Sequence, residues 1–314
     1  MTIPECISCK SKEIRKLHRY RTITNAEARF FRDGYLWQCT ACQLIQLFPR
    51  PSEARLVDFY RSSYRNENDA DAWEQASRIE LASGGTTGLV ELLRQFALAP
   101  RIVLDVGAGV GNHSRSAQSA FRNAQVWCVE PSDVFASRLR AAGLRTISKP
   151  WPEAAQDFHH KADAVILSHV LEHFLNPRAL LETLVDVMVP GGWLAIEVPN
   201  DPDWQVHAAD HSPHISFFTQ TSLRALLSNF GEVLFLDTAG RIVRPRRPYW
   251  QDAVLVHFPT IRAIRAKLKL MCSRTGATPG PDPEEKKYGG EERRVIRAIV
   301  RIYPTMGRGL VSQS

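Results

Sequence analysis

Four cysteines fall in two pairs of identical spacing, Cys6-x2-Cys9 and Cys39-x2-Cys42. Pairs of this kind present four thiolates to one tetrahedral Zn²⁺, and a closed set of four sulfurs leaves no position for chemistry. The metal they imply is therefore structural. Cys128 and Cys272 stand alone, and Cys128 reads as a buried strand residue. A second constellation is the segment VLDVGAGVGNH (103–113), in which an acid and three glycines, Asp105, Gly107, Gly109 and Gly111, join an apolar run to a helical pattern. A third is a concentration of histidines in SHVLEHF (168–174) and ADHSPHISFF (209–218). Histidine is the side chain whose ordinary pKa suits proton transfer near neutral pH.

The glycines let the chain turn tightly and bring its backbone close to a ligand. Glu130 ends the next apolar run, placed to take both hydroxyls of a bound ribose. A dinucleotide site also combines a glycine loop with an acid, but its fingerprint is G-x-G-x-x-G, built to carry a pyrophosphate on a helix N-terminus. Here the spacing is G-x-G-x-G directly after an Asp. That pattern suits a nucleoside without phosphates, S-adenosylmethionine (SAM), whose cationic end Asp105 can help to satisfy.

The elements that must hold these residues follow from periodicity. Strands are expected at 101–106, 124–130, 144–147, 163–168, 191–199, 232–238 and 252–258. Helices are expected at 112–121, 133–142, 177–188 (opened by Asn176 and Pro177) and 220–229. Strands that are apolar throughout and alternate with helices imply a doubly wound α/β sheet, covered on both faces. The C-terminal edge of such a sheet is where ligands bind, and both histidine segments follow strands. Asp163 starts a strand and reads as structural. The chain divides into a zinc-binding module (1–52), a helical cover with the stripe Leu89, Leu92, Leu93 and Phe96 (53–99), a SAM-binding domain (100–258) and a basic helical tail (259–314).

In order, LDVGAGVG, VEPS, ADAVILSHVLEH and PGGWLAIEVPN resemble the class I SAM-dependent methyltransferases over about 100–240. The resemblance implies a Rossmann-like sheet. It also implies that Gly107, Ala108, Gly109 and Gly111 hold the methionine part, that Glu130 with Pro131 behind it holds the ribose, and that Ser168, His169, Val170 and Leu171 face cofactor and substrate. LWQCTACQLIQLFPRPSE (36–53) is further similar to the zinc-ribbon start of a bacterial group that includes sugar C-methyltransferases and enzymes of polysaccharide and natural-product pathways. That likeness favours His173 and His214 over His169 and His211 as the proton acceptor. Where the group's second motif has Tyr-x-Glu-His, this chain has His211, Ser212, Pro213 and His214. The missing tyrosine and carboxylate shift the expectation from C-methylation to O-methylation of a sugar or related hydroxyl. His169, Glu172 and His173 also spell H-x-x-E-H, a metalloprotease pattern, but they follow a strand in methyltransferase order.

The 314 residues are 44% apolar and 23% charged, with a net charge of +7. Nothing resembles a secretory signal, and no apolar run reaches about 18 residues, the length of a membrane span. A cytoplasmic location is expected, where thiols stay reduced. The positive charge gathers at 241–248, 261–274 and 291–303. Helices with alternating apolar and basic positions at 261–274 and 291–303 could lie on an anionic membrane at its inner face, or pack on the domain. The acceptor is expected to be a small molecule or glycan. Nucleic acid is disfavoured, because no aromatic-rich basic groove is evident. The alternatives are C- or N-methylation of a nucleotide-linked sugar and a zinc-bearing binding protein on a degenerate methyltransferase fold. Oligomeric state is left open.

Overall fold

A computed structural model describes residues 5–20, 30–31, 34–62, 88–97, 99–159, 161–200, 213–244 and 291–303. Five of its strands lie side by side and parallel: β4 (Ile102–Val106), β5 (Gln125–Val129), β6 (Arg145–Ile147), β7 (Ala162–Ser168) and β8 (Met188–Asn200). Two more, β10 (Gly231–Arg244) and β11 (Glu291–Ile302), complete a seven-stranded sheet in the order β10-β11-β8-β7-β4-β5-β6. β11 is antiparallel to both of its neighbours, so the sheet is mixed.

Side chains along the strands feed two cores. Leu104, Val106, Val165, Leu167, Leu194 and Ile196 enter one face, whereas Val103, Ala164, Ile166 and Ala195 enter the other. The first face is covered by Leu180, Leu181 and Leu184 of one helix, α6 (Pro177–Asp186), and by Leu223, Leu226 and Leu227 of another, α7 (Gln220–Leu227). The second is covered by helices α2 (Gly88–Phe96) and α3 (Asn112–Ala120). Leu89 and Leu93 of the expected α2 stripe are fully buried. Local chemistry sets the helix starts. The Asn176 side chain accepts from the backbone N–H of Ala179, with Pro177 inside the first turn, and Thr219 and Ser222 close a reciprocal capping box. Helices α4 (Asp133–Ala141) and α5 (Glu153–Asp157) complete the set around the sheet, and the latter was not foreseen.

The N-terminal segment builds a second sheet from β1 (Ile14–Arg19), β2 (Tyr35–Cys39) and β3 (Ile45–Phe48), followed by helix α1 (Glu53–Ser62). Its fourth strand is β9 (Ser216–Phe217), from the far side of the chain. Ile45 pairs with Phe217 and Gln46 with Ser216, so the cysteine module is stitched to the second histidine segment.

One expectation is overturned. Residues 291–303 are not a basic helix of a tail; Glu291–Ile302 is the strand inserted between β8 and β10. Val295, Ile296, Ala298, Ile299, Val300 and Ile302 are all buried. A strand covered on both faces shows no two-residue alternation, and periodicity alone does not tell it from a helix. The segments expected as strand 252–258 and helix 261–274 lie outside the described residues. Among the described residues, no helix is long and apolar enough to cross a membrane. Ile299→Ala tests the placement of β11. As a truncation in a close-packed sheet it should cost roughly 2–5 kcal/mol in denaturant unfolding, whereas a peripheral tail would lose far less.

Candidate active site

The strand order reverses beside β4, where the chain steps to β5 on one side and β7 on the other, leaving a cleft at the strands' C-terminal ends. The glycine loop opens this cleft. Gly107, Gly109 and Gly111 have φ of 74°, 55° and 82°, the left-handed region that glycine enters at no steric cost. The backbone N–H groups of Gly107 and Ala108 donate to the Val129 carbonyl, at 2.8 and 3.1 Å. A Cβ added at Gly107 would sit 2.4 Å from Val170 Cγ2, so the loops after β4 and β7 touch.

Glu130 lies just past β5 and is held from two sides. Its Oε2 accepts from Gly109 N–H at 2.7 Å, and its Oε1 from Ser132 N–H at 2.9 Å. A carboxylate oxygen can accept more than one hydrogen bond, which suits a ribose diol. Pro131 leads into Ser132, the N-cap of α4. Asp105 is buried, and its carboxylate accepts from Ser114 Oγ at 2.5 Å. Burial raises its pKa against the pull of His113 and Ser114. The bond makes Asp105 a brace between β4 and α3 at the entrance of the glycine loop. The residues fit the nucleoside part of SAM: a ribose acceptor fixed by backbone amides, beside a loop with no room for a Cβ at Gly107. Asp163 is structural, as read from its position: its Oδ2 accepts from the backbone N–H of Arg101 and Ile102. Cys128 is a buried strand residue, its thiol pushed up to about 12 by burial.

Past Ser168 the chain breaks from β7 at His169, whose φ of 55° is unusual for a residue with a Cβ. Its N–H donates to the Glu197 carbonyl at 2.9 Å. A short 3₁₀ turn, Leu171–His173, then places two functional side chains in succession. Glu172 is 1% exposed, and its Oε1 lies 3.4 Å from His169 Nδ1 and 3.8 Å from His173 Nε2. His173 meets His214 with ring centroids 4.9 Å apart. Ligating atoms of Glu172, His173 and His214 all lie within 4.8 Å of one another.

His214 reaches this position through the second sheet. Tyr20 Oη donates to the His214 carbonyl at 2.8 Å, Leu47 N–H to the Ile215 carbonyl at 2.8 Å, and Ile215 N–H to the Glu172 carbonyl at 2.9 Å. His173 Nδ1 is 3.4 Å from the Pro213 carbonyl. The structure thus unites His173 and His214 and sets His169 one step away, between carboxylates. His211 lies outside the described residues.

The four cysteines converge as well. Cys6 Sγ is 3.5 Å from Cys42 Sγ, and Cys9 Sγ is 3.6 Å from Cys39 Sγ, with all four sulfurs within 4.8 Å. The Cys42 contact pulls the Cys6 thiol down to about 5 while Cys42 is pushed up, as when two sulfurs share one proton. Edges of a ZnS₄ tetrahedron with bonds of about 2.3 Å measure about 3.8 Å, so the donor set fits Zn²⁺.

Three site residues went unassigned from the sequence. Glu172 was noted only within H-x-x-E-H, and Glu197 only within an apolar strand, where a lone acid is itself a signal. Arg297 was one of many basic residues near the C-terminus, and nothing local marked it. Its Nε donates to Glu197 Oε2 at 2.5 Å.

Residues 80–233 match a family described as a methyltransferase domain. The chain is similar to methyltransferase str2 of Strobilurus tenacellus, 25% identical over 207 residues, covering 64% of this chain and 66% of that protein. It is also similar to a trans-aconitate 2-methyltransferase of Methylobacterium nodulans, 23% identical over 248 residues, covering 76% of this chain and 93% of the relative. Among solved structures, the plantazolicin methyltransferase BpumL in complex with S-adenosylhomocysteine aligns over 79% of this chain and 94% of that one, with 12% identity and a TM-score of 0.46. Gly107→Ala tests the loop: strain at positive φ and the clash with Val170 should weaken S-adenosylhomocysteine binding by about tenfold or more in calorimetry.

Proposed function

We propose, from the match of residues 80–233 to a methyltransferase domain, that the chain is a SAM-dependent enzyme that methylates a hydroxyl of a small-molecule acceptor. A sugar or related compound of polysaccharide or natural-product biosynthesis is the favoured class. The observation that carries this reading is the buried meeting of Glu172, His173 and His214 beside the loop that follows β7. A hydroxyl must lose a proton as it is methylated, and a positioned imidazole is suited to receive it. A carboxylate acceptor arrives already ionised and would be repelled by Glu172, so the reading departs from trans-aconitate, named for one of the relatives.

When bound, SAM supplies a methyl group on a sulfonium, open to direct displacement. The protein's part is alignment and proton removal. Glu130 would hold the ribose, and Gly107, Ala108, Gly109 and Gly111 would border the methionine end. Ser168 and Val170 would lie between cofactor and acceptor. His214 and His173 would form the acceptor wall, with one of the two imidazoles taking the hydroxyl proton.

Cys6, Cys9, Cys39 and Cys42 would hold one structural Zn²⁺ and so keep β3 in register with β9. The metal then supports His214 at a distance, through backbone pairing rather than through contact with the acceptor.

Two measurements test the reading. The purified protein should bind S-adenosylhomocysteine with micromolar affinity and contain about one zinc per chain by elemental analysis; failure to bind would remove the SAM reading of this chain. With nucleotide-linked sugars screened as acceptors, His214→Ala should leave S-adenosylhomocysteine affinity unchanged while lowering kcat about a hundredfold. Full activity of that variant would show that the proton goes elsewhere.

A further inference from the structure

Arg297, Glu197, His169 and Glu172 form one continuous, partly buried chain of charged groups that leads from β11 to His173. Arg297 Nε bonds Glu197 Oε2 at 2.5 Å, and Glu197 Oε1 lies 3.5 Å from His169 Nε2. Glu172 Oε1 lies 3.4 Å from His169 Nδ1, on the opposite side of the ring. Ser168 Oγ also donates to Glu197 Oε1, at 3.1 Å. The His169 ring is about a quarter exposed, but both of its nitrogens are buried.

We propose that His169 is a positioning residue, a cation clamped between Glu197 and Glu172 that holds Glu172 beside His173, rather than a base that meets the acceptor. The proposal rests on the methyltransferase reading and assigns His169 a different task from the one its sequence suggested. The charge arrangement points to it: each ring nitrogen lies within 3.5 Å of a carboxylate oxygen, although neither makes a hydrogen bond of good angle. A neutral imidazole has one N–H and one lone pair, and a lone pair facing a buried carboxylate oxygen is repulsive. With a carboxylate oxygen within 3.5 Å of each nitrogen, the doubly protonated ring is the favoured form, and it has no lone pair to accept another proton. The charge balance agrees, because two buried carboxylates facing only Arg297 would leave one negative charge uncompensated. The sequence Arg297, Glu197, His169, Glu172 alternates in sign and closes at zero. Burial by itself would lower the His169 pKa, but the two carboxylates outweigh it and bring it up to about 9. The same contacts hold Glu172 and Glu197 below the usual carboxylate range despite their burial. The groups facing His169 are Glu172, Glu197 and, beyond them, His173, Arg297 and His113. The raised pKa implies a contribution to stability that is complete below the unfolded value near 6.5 and lost as pH rises through about 9.

The test is an NMR titration of the histidine rings in the wild-type chain, in His169→Asn and in Glu197→Gln, with zinc content matched. Asparagine tolerates the left-handed backbone at this position and carries no charge. The wild-type His169 ring should remain doubly protonated through pH 8 and titrate near 9, and Glu197→Gln should bring it down. In His169→Asn, Glu172 loses its counterion and should raise the pKa of His173 by about one pH unit or more. A role in packing alone would not move that value. His169 titrating near 6.5 in the wild type would overturn the proposal, as would unchanged His173 and His214 titrations in His169→Asn. So would a divalent cation that keeps His173 and His214 from titrating. Calorimetry of the same samples separates this from the methyltransferase reading: loss of S-adenosylhomocysteine binding in the wild type counts against that reading, whereas the ring titrations bear on the clamp. Glu197→Gln alone decides the matter if His169→Asn does not fold.

Discussion

Two carboxylates, Glu172 and Glu197, are buried at the C-terminal edge of the large sheet, and the arrangement around them follows from that cost. Taking an ion out of water costs several kcal/mol unless opposite charge and hydrogen bonds compensate. Glu197 lies on β8, whose neighbour on one side is β11 rather than a strand adjacent in sequence. That insertion brings Arg297 opposite Glu197 in the antiparallel register. The C-terminal strand therefore supplies the cation that makes the acid tolerable, and the acid in turn faces the histidine at the tip of β7.

The second organising contact is the pairing of β3 with β9. The cysteine-bearing sheet is too small for a sizeable core of its own, and it shares one with the histidine segment. Leu36, Ile45 and Leu47 pack with Ile215 and Phe217, while Tyr20 reaches the His214 carbonyl. The position of His214 is in this way tied to the N-terminal sheet. In the proposed reading, cofactor-facing and acceptor-facing groups are correspondingly separate. The first stand on the glycine loop and β5, braced by Asp105 and Ser114; the second stand where the two sheets meet.

Much of this was legible in the chain. The β4 loop, with glycines where φ is positive, and Glu130 at the end of the following strand were read from spacing, because local backbone geometry dictates those residue types. The same holds for Asn176 and Pro177 at the start of α6, and for the alternation of apolar strands with helices through residue 238. The paired cysteines converge as their spacing implied. By contrast, residues 291–303 were misread: their apolar positions are buried on both faces of a sheet, and their arginines imitate the polar stripe of a helix.

By itself, then, the sequence determined what near neighbours in the chain control: turns, caps, paired ligands and the main strands and helices from β4 to β10. Tertiary structure alone decided which of the histidines lies beside which carboxylate. His169 and His173 flank the same Glu172, four residues apart in chain, yet a left-handed backbone and a 3₁₀ turn send them to different partners. Arg297, separated from Glu197 by 100 positions, enters only through strand order. A charge's effect depends on distance and on the dielectric around it, and neither is written in local spacing.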